Sequence, residues 1–189
     1  MPPPDFLAKM RSLLSPDEYD AFVAAYDRPP VGGLRVNTLK IAPVEFTTLA
    51  PFSLAPLGDW EPAAFSVADD SRPGRHPYHD AGLYYLQDPS AMTAAVTLAP
   101  APGELVLDLA AAPGGKATHL AARMGAPTTG GGSPLRRALA DDSLLVANDV
   151  HAGRARLLAD NLARWGAVNV LVTHEEPERL AAAFGPVFD

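Results

Sequence analysis

The chain has 189 residues, of which 48% are hydrophobic and 20% charged, and its formal net charge is −7 at pH 7. This composition is typical of a soluble globular protein, and the length suffices for one full domain plus a smaller one. The sequence has no apolar run of the roughly 18 residues that a transmembrane helix needs, and its N-terminus lacks a secretory pattern, so we expect a cytoplasmic protein without membrane contact. The absence of cysteine excludes disulfides, zinc–thiolate sites and a cysteine nucleophile within these residues. The acidic balance argues against a large nonspecific nucleic-acid surface.

The first part of the chain, residues 1–80, predicts a small α+β domain. Two short helices open it, and the second begins with a capping box in which Ser15 and Glu18 satisfy each other's backbone N–H groups. The alternating stretch LRVNTLK (34–40) predicts a strand, and Pro43 favours a short helix through Leu49. A Pro- and Gly-rich stretch follows, with the strand-like fragment AFSV inside it.

The second part, residues 81–189, alternates strands and helices. After a helix from Pro89 or Ser90 to Leu98, three short apolar strands are each followed by a helix, which predicts an α/β fold with a parallel sheet. The predicted strands are 104–110, 144–149 and 168–173, and the predicted helices are 116–124, 151–165 and 177–184. In the middle helix we expect four side chains to face inward, namely Leu157, Leu158, Leu162 and Trp165. The Gly-rich stretch 125–143 is too long for a compact connection and predicts a flexible loop.

The stretch LDLAAAPGGKATHLA (107–121) is the strongest candidate for a ligand site. A strand that ends in a glycine turn and runs into a helix presents free backbone N–H groups to a ligand. The spacing fits neither a phosphate-binding loop, because Ala110 and Ala117 replace its Gly and Ser/Thr, nor a dinucleotide fingerprint. Two interpretations stay open: a tight turn without a ligand, and an S-adenosylmethionine site. The second needs an acid at the end of the next strand, where Asp149 stands.

The same stretch resembles motif I of the Sun family of RNA 5-methylcytosine methyltransferases, whose pattern is close to D-x-C/A-A-A-P-G-G-K-T. Three further stretches resemble the family in the same order, namely LRVNTLK (34–40), GLYYLQDPSAM (82–92) and ANDVHAGRARLLADNLARWGAVNV (147–170). The resemblance covers most of the chain and points to the bacterial enzymes that methylate cytosines of 16S ribosomal RNA. It implies a class I, Rossmann-like methyltransferase core that binds S-adenosylmethionine, behind an N-terminal domain that helps to hold RNA.

The resemblance also implies cofactor contacts along the turn and after the second strand. These residues are Ala111, Ala112, Pro113, Gly114, Gly115, Lys116, Ala117 and Asp149. Lys116 would face the cofactor's carboxylate or the carbonyls of the turn, unless it is only an exposed lysine at a helix start. Asp149 would accept the ribose hydroxyls, and it could also cap the following helix. His174 is a weaker candidate beside the adenine.

Other polar residues nearby carry less specific signals. Asp108 is expected to stabilise the turn, and Gln87, Asp88 and Ser90 are weaker candidates, with Ser90 a possible helix cap. His76 and His79 lack a third ligand, so we predict no metal site. His119 is expected to lie on the surface or to pack.

The sequence departs from the family in ways that affect chemistry. Ala117 replaces a common Thr, and the family's nucleophilic cysteine, in a D-A-P-C-S-G run after the fourth strand, is expected beyond Asp189. We therefore predict a core that stops after its third strand and helix, no catalytic residue within the chain, and an inactive polypeptide. Because the fourth strand lies beside the first in this family, an exposed edge predicts poor solubility or partial unfolding.

The predicted function is therefore the cofactor-binding N-terminal part of an S-adenosylmethionine-dependent rRNA cytosine-C5 methyltransferase. The expected partner is RNA, in particular 16S rRNA or the small ribosomal subunit, and the expected state is a monomer. Two alternatives stay open: a non-catalytic fragment that binds RNA or cofactor, and a methyltransferase that acts on a different substrate.

Overall fold

The computed structural model describes residues 2–28, 32–67, 71–125 and 143–189. The chain divides into two compact units, Met1–Val31 and Gly32–Asp189. The predicted boundary at residue 80 stays a prediction, and residues 126–142 of the predicted loop lie outside the described residues. None of the described helices is both long and apolar enough to cross a membrane.

The first unit is a pair of helices, α1 (Pro4–Leu13) and α2 (Pro16–Ala25). The predicted capping box is confirmed. The Glu18 backbone N–H donates to the Ser15 hydroxyl, and the Ser15 N–H donates to the Glu18 carboxylate at 3.0 Å. These bonds satisfy N–H groups at the start of α2 that have no partner within the helix, which fixes where the helix begins.

The second unit starts with an antiparallel sheet in the order β2-β3-β1-β4. Its strands are β1 (Gly32–Val36), β2 (Leu54–Pro56), β3 (Ala64–Val67) and β4 (Tyr84–Leu86). The helices α3 (Pro43–Leu49) and α4 (Pro77–Asp80) lie between the strands in sequence, and α3 has its predicted bounds. The core of this sheet contains Leu34, Phe46, Phe65 and Tyr84.

The strand predicted over 34–40 is wrong in its second half. β1 ends at Val36, and the Asn37 side chain accepts the Leu39 N–H at 3.0 Å, which turns the chain away from the sheet. An Asn side chain that bonds the backbone N–H two residues ahead competes with strand pairing. The alternating sequence pattern therefore extends beyond the last residue of the strand.

A parallel sheet in the order β5-β6-β7 forms the rest of the unit. Its strands are β5 (Leu105–Asp108), β6 (Leu144–Asn148) and β7 (Val170–Thr173), with register pairs such as Leu107↔Val146 and Val146↔Leu171. The helices are α5 (Pro89–Leu98), α6 (Gly115–Met124), α7 (Ala152–Trp165) and α8 (Pro177–Phe184). The predicted parallel α/β sheet is confirmed. On the side of β5 away from β6, the Asp189 N–H donates to the Leu105 carbonyl at 3.0 Å.

Two expectations about helices are wrong. Leu157 is 49% exposed, because the buried stripe of α7 follows Ala155, Leu158, Leu162 and Trp165, and Leu157 lies about 100° away from it. Ser90 does not cap α5. The cap is Asp88, whose carboxylate accepts the Ser90 N–H at 2.8 Å.

Candidate functional site

The glycine turn joins β5 to α6 with the backbone that the sequence predicts. Gly114 is the N-cap of α6 and has φ +117°, a conformation that residues with a Cβ rarely adopt. The first N–H groups of α6 have no carbonyl partner within the helix and lie at its positive end. The turn therefore presents donors at the carboxyl edge of the parallel sheet, where α/β folds bind ligands.

Side chains from both flanks hold the carbonyls of this turn. Arg154 of α7 donates to the Ala112 carbonyl at 2.8 Å, and Asn161 of the same helix donates to the Pro113 carbonyl at 2.7 Å. Arg35 of β1 donates to the Gly115 carbonyl at 3.2 Å. The turn is thus fixed by donors that lie outside it.

Asp149 follows β6 and is 2% exposed. Its Oδ1 accepts the His151 N–H at 3.0 Å, and its Oδ2 lies 3.2 Å from Arg154 Nη2. The N-cap of α7 is His151, although Asp149 does bond to the backbone there. The same guanidinium contacts the Ala112 carbonyl, so the structure joins this predicted acid to the predicted turn through Arg154.

Asn148 ties the ends of the three parallel strands together. Its amide donates to the carbonyls of Leu109 and Glu175 at 3.2 and 3.0 Å, and its oxygen accepts from Thr173 and from the Glu175 N–H. His174 is exposed at this edge, and its Nε2 donates to the Val150 carbonyl at 2.9 Å. His174 therefore lies close in space to the segment that carries Asp149, although 24 positions separate it from Val150 in the sequence.

A cavity of about 240 Å³ opens beside the turn. Its walls come from β4, α5 and the turn itself, and the lining residues are Tyr85, Leu86, Gln87, Ala91, Ala110, Ala111, Ala112, Pro113, Gly115 and Lys116. Five of the predicted cofactor residues thus line one cavity, and Gln87 lies on the wall that faces Gly115. Ala117 does not line it, because its side chain is fully buried in the core between α6 and the sheet.

Two ionisable groups lie at the base of the turn. Lys116 is exposed at the start of α6. Burial raises the pKa of Asp108, and the Lys116 charge lowers it in part. Asp108 Oδ2 is buried without a hydrogen-bond partner in the part of the chain that the structure describes. A carboxylate oxygen left in this way at the end of β5 is an acceptor that a ligand's donor would satisfy.

Sequence reasoning missed a buried charge cluster that joins the segment before β3 to α6. Glu61 is 6% exposed and His119 2%, and His119 Nε2 donates to Glu61 Oε2 at 2.7 Å. Arg123 donates to the same oxygen at 2.9 Å. Burial alone would raise the pKa of Glu61, but the bonds from His119 and Arg123 lower it to about 2. Burial in turn lowers the pKa of His119.

The other histidines act locally. His76 Nδ1 accepts the Tyr78 N–H at 3.2 Å and caps α4, while His79 Nδ1 lies 3.4 Å from Arg164. Within the described ranges, no three His, Asp or Glu side chains group as metal ligands do.

Comparison with known proteins decides the family. Residues 3–89 match the N-terminal domain of 16S rRNA methyltransferase RsmF, and residues 95–189 match 16S rRNA methyltransferase RsmB/F. The chain belongs to the RsmB/F family. It is 37% identical to the ribosomal RNA small subunit methyltransferase F of Klebsiella pneumoniae and 36% identical to that of Serratia proteamaculans. In both comparisons 99% of the chain aligns, and it spans 38% of the relative's length.

Solved structures agree with this assignment. A methyltransferase homolog protein from Pyrococcus horikoshii has a TM-score of 0.69 and 29% identity, over 96% of the chain and 60% of that protein. NSun6 from the same organism has a TM-score of 0.74 over 95% of the chain and 67% of that protein. At 16% identity the second comparison supports the fold alone. The predicted α/β methyltransferase fold is therefore confirmed.

Proposed function

We propose that this RsmB/F family chain forms the methyl-donor site of an rRNA cytosine-C5 methyltransferase and binds S-adenosylmethionine. The observation that carries the proposal is the cavity at the glycine turn, which five of the predicted residues line, namely Ala111, Ala112, Pro113, Gly115 and Lys116. The related proteins are named as methyltransferases of the small-subunit rRNA, which supports RNA, and 16S rRNA in particular, as the substrate. A monomer in the cytoplasm remains our expectation.

The chemistry of the cavity fits this cofactor. The methionyl end of S-adenosylmethionine is small and carries a carboxylate and an ammonium. Lys116, which lines the cavity, and the first N–H groups of α6 suit the carboxylate. Asp108 does not line the cavity, but its unpartnered oxygen at the end of β5, just before the turn, suits the ammonium. Gly115 contributes room, because a Cβ on this residue would lie 3.4 Å from Gln87 Nε2 and 3.6 Å from the Tyr85 ring.

Asp149 is the proposed acceptor for the two ribose hydroxyls. Its Oδ2 contacts Arg154, whose side chain is 55% exposed. Ribose binding therefore requires Arg154 to turn away from that oxygen or to share it. A carboxylate with two acceptor oxygens can serve both groups.

When bound, the cofactor supplies an electrophilic methyl group on its sulfonium. The residues of this chain bind and orient it: the turn encloses the methionyl end, Asp149 fixes the ribose, and His174 lies where it can border the base. This chain contains no cysteine, the nucleophile that the family resemblance implies, so we assign no catalytic residue to it and expect no methyl transfer from it alone.

Isothermal titration calorimetry with S-adenosylmethionine tests the proposal. We expect saturable binding to the 189-residue chain, and at least about tenfold weaker binding for Asp149→Asn, because a charged acceptor of two hydroxyls is lost. Asp160→Asn, an exposed position on α7, is the matched control and should bind as the unmodified chain does. No saturable heat for the unmodified chain, or an unchanged Asp149→Asn, would contradict the assignment.

A further inference from the structure

We propose that Arg35 is a positioning residue of the methyl-donor site, which fixes the Gly115 carbonyl and the Gln87 side-chain amide around the cavity. The inference rests on the proposed function and extends it, because it makes a strand of the antiparallel sheet part of the cofactor site. Arg35 itself does not line the cavity.

The environment of Arg35 is unusual for an arginine. Arg35 is 1% exposed, and its guanidinium lies 4.7 Å above the centre of the Trp165 ring. A buried arginine is ordinarily neutralised by a carboxylate in direct contact. Among the described residues, no carboxylate lies within ion-pair distance of Arg35. Burial lowers its pKa to about 9, so it stays charged at neutral pH.

The donors of Arg35 instead reach three oxygens on the two walls of the site. Nη2 donates to the Gly115 carbonyl at 3.2 Å and to Thr118 Oγ1 at 2.8 Å, both in the first turn of α6. Nε donates to Gln87 Oε1 at 3.3 Å, just after β4. One rigid guanidinium thus sets the spacing between the start of α6 and the opposite wall.

The bond to Gln87 also determines which way its amide points. A guanidinium has donors only, so the atom that faces Arg35 must be the oxygen. The amide nitrogen then lies on the Gly115 side, 3.4 Å from where a Cβ of that glycine would be. Arg35 therefore directs two N–H donors of Gln87 toward the wall that a ligand carboxylate or amide would meet.

Other contacts between the same regions leave the turn untouched. Lys40, which follows the turn after β1, donates to the carbonyls of Ala81 and Arg164 at 2.7 and 2.6 Å. These bonds fasten the end of α7 and involve no residue of the glycine turn or of the cavity. Lys40 is therefore a control for a purely architectural role.

Three variants separate positioning from stability: Arg35→Lys, Thr118→Val and Lys40→Met. For each we measure the affinity for S-adenosylmethionine by calorimetry, the thermal midpoint, and the backbone amide shifts of Gly114 and Gly115 in the ligand-free chain by NMR. Arg35→Lys should weaken binding at least about tenfold, since lysine cannot hold both walls. Thr118→Val removes one acceptor of Arg35 at nearly constant volume and should weaken S-adenosylmethionine binding about threefold. This variant tests the inference if Arg35→Lys does not fold. Both should move the Gly115 amide shift.

Lys40→Met should leave the affinity within about twofold and the two glycine shifts unchanged, whatever its thermal midpoint. The inference is overturned if Arg35→Lys and Thr118→Val bind within twofold of the unmodified chain. It is also overturned if affinity follows the thermal midpoint equally in all three variants. If the unmodified chain binds no S-adenosylmethionine, the proposed function fails, and the role of Arg35 is then decided by the glycine shifts alone. The glycine shifts still report whether Arg35 holds the turn.

Discussion

The two sheets of the second unit contribute to the site in different ways. The parallel sheet β5–β7 supplies the backbone of the site: the glycine turn after β5, Asp149 after β6 and the ends joined by Asn148. The antiparallel sheet β1–β4 and its connections supply buried polar side chains: Arg35 of β1 and Glu61, which precedes β3, both bond to α6. The glycine turn thus comes from one sheet and is held in part by the other.

The largest loss of stability should come from the apolar support beneath the turn. Leu158 is fully buried, and a Cβ on Gly114 would lie 3.3 Å from its Cδ1. Leu158→Ala should cost about 2–5 kcal/mol of unfolding free energy, because it opens a cavity there. Its neighbour Leu157 is half-exposed, so Leu157→Ala should cost less than about 0.5 kcal/mol.

Urea unfolding monitored by circular dichroism measures both variants. Similar costs at the two positions would mean that α7 is rotated relative to the described stripe, and would restore the original prediction that Leu157 faces inward. A small cost at Leu158 would show that the parallel sheet does not depend on packing under the turn.

Glu61→Gln should produce a smaller loss, and it tests the contribution of the antiparallel side. The substitution removes the charge that His119 and Arg123 share, at a cost of about 2 kcal/mol at pH 7. The exposed pair Glu175–Arg179 provides the control, since Glu175→Gln should cost less than about 0.5 kcal/mol.

The cost of Glu61→Gln should depend on pH in a defined direction. The folded pKa of Glu61, about 2, lies below its ordinary value of 4.5, so its contribution is complete above about pH 5 and is lost as the pH falls toward 2. The lowered pKa of His119 is a separate effect: acid protonates its unfolded form first and so destabilises both chains. Urea unfolding at pH 7 and pH 3 should therefore show the two chains converging at low pH. A difference that grows on acidification would contradict the described cluster.

These contrasts explain how much the sequence could predict. Continuous apolar strands, a glycine turn and a helix start are local signals, so β6, predicted over 144–149, is found at Leu144–Asn148. The buried bonds are not local. Glu61 meets His119 58 positions away, and Arg35 meets Gly115 80 positions away. Neither residue carries a pattern that distinguishes it from an exposed charge, so only the fold reveals these contacts.

The same limit applies to the candidate site. Motif spacing identified the turn and Asp149, because their residue types follow from the backbone and the chemistry that a ligand needs there. Motif spacing made Gln87 only a weak candidate and did not identify Arg35 or Arg154. These long side chains reach the turn from a strand and a helix whose packing the sequence does not show. The predicted poor solubility of the chain remains a prediction, for which light scattering of the purified protein is the measurement.

The smallest effect on stability should come from Gly115→Ala, which tests whether the cavity is the methyl-donor site. Unlike Gly114, Gly115 has a backbone that alanine adopts without strain, and its new methyl would make ordinary contacts with Gln87 and Tyr85. Unfolding free energy should change by less than about 1 kcal/mol. The methyl would nevertheless occupy part of a small cavity, so the affinity for S-adenosylmethionine should fall at least about tenfold. Gly153→Ala is the matched control: it lies in the first turn of α7, where a Cβ would meet no atom within 4 Å, and its affinity should be unchanged. Equal affinities for the two variants would show that S-adenosylmethionine does not bind in this cavity. The antiparallel sheet, which contributes one wall of the cavity, would then have no part in binding the cofactor.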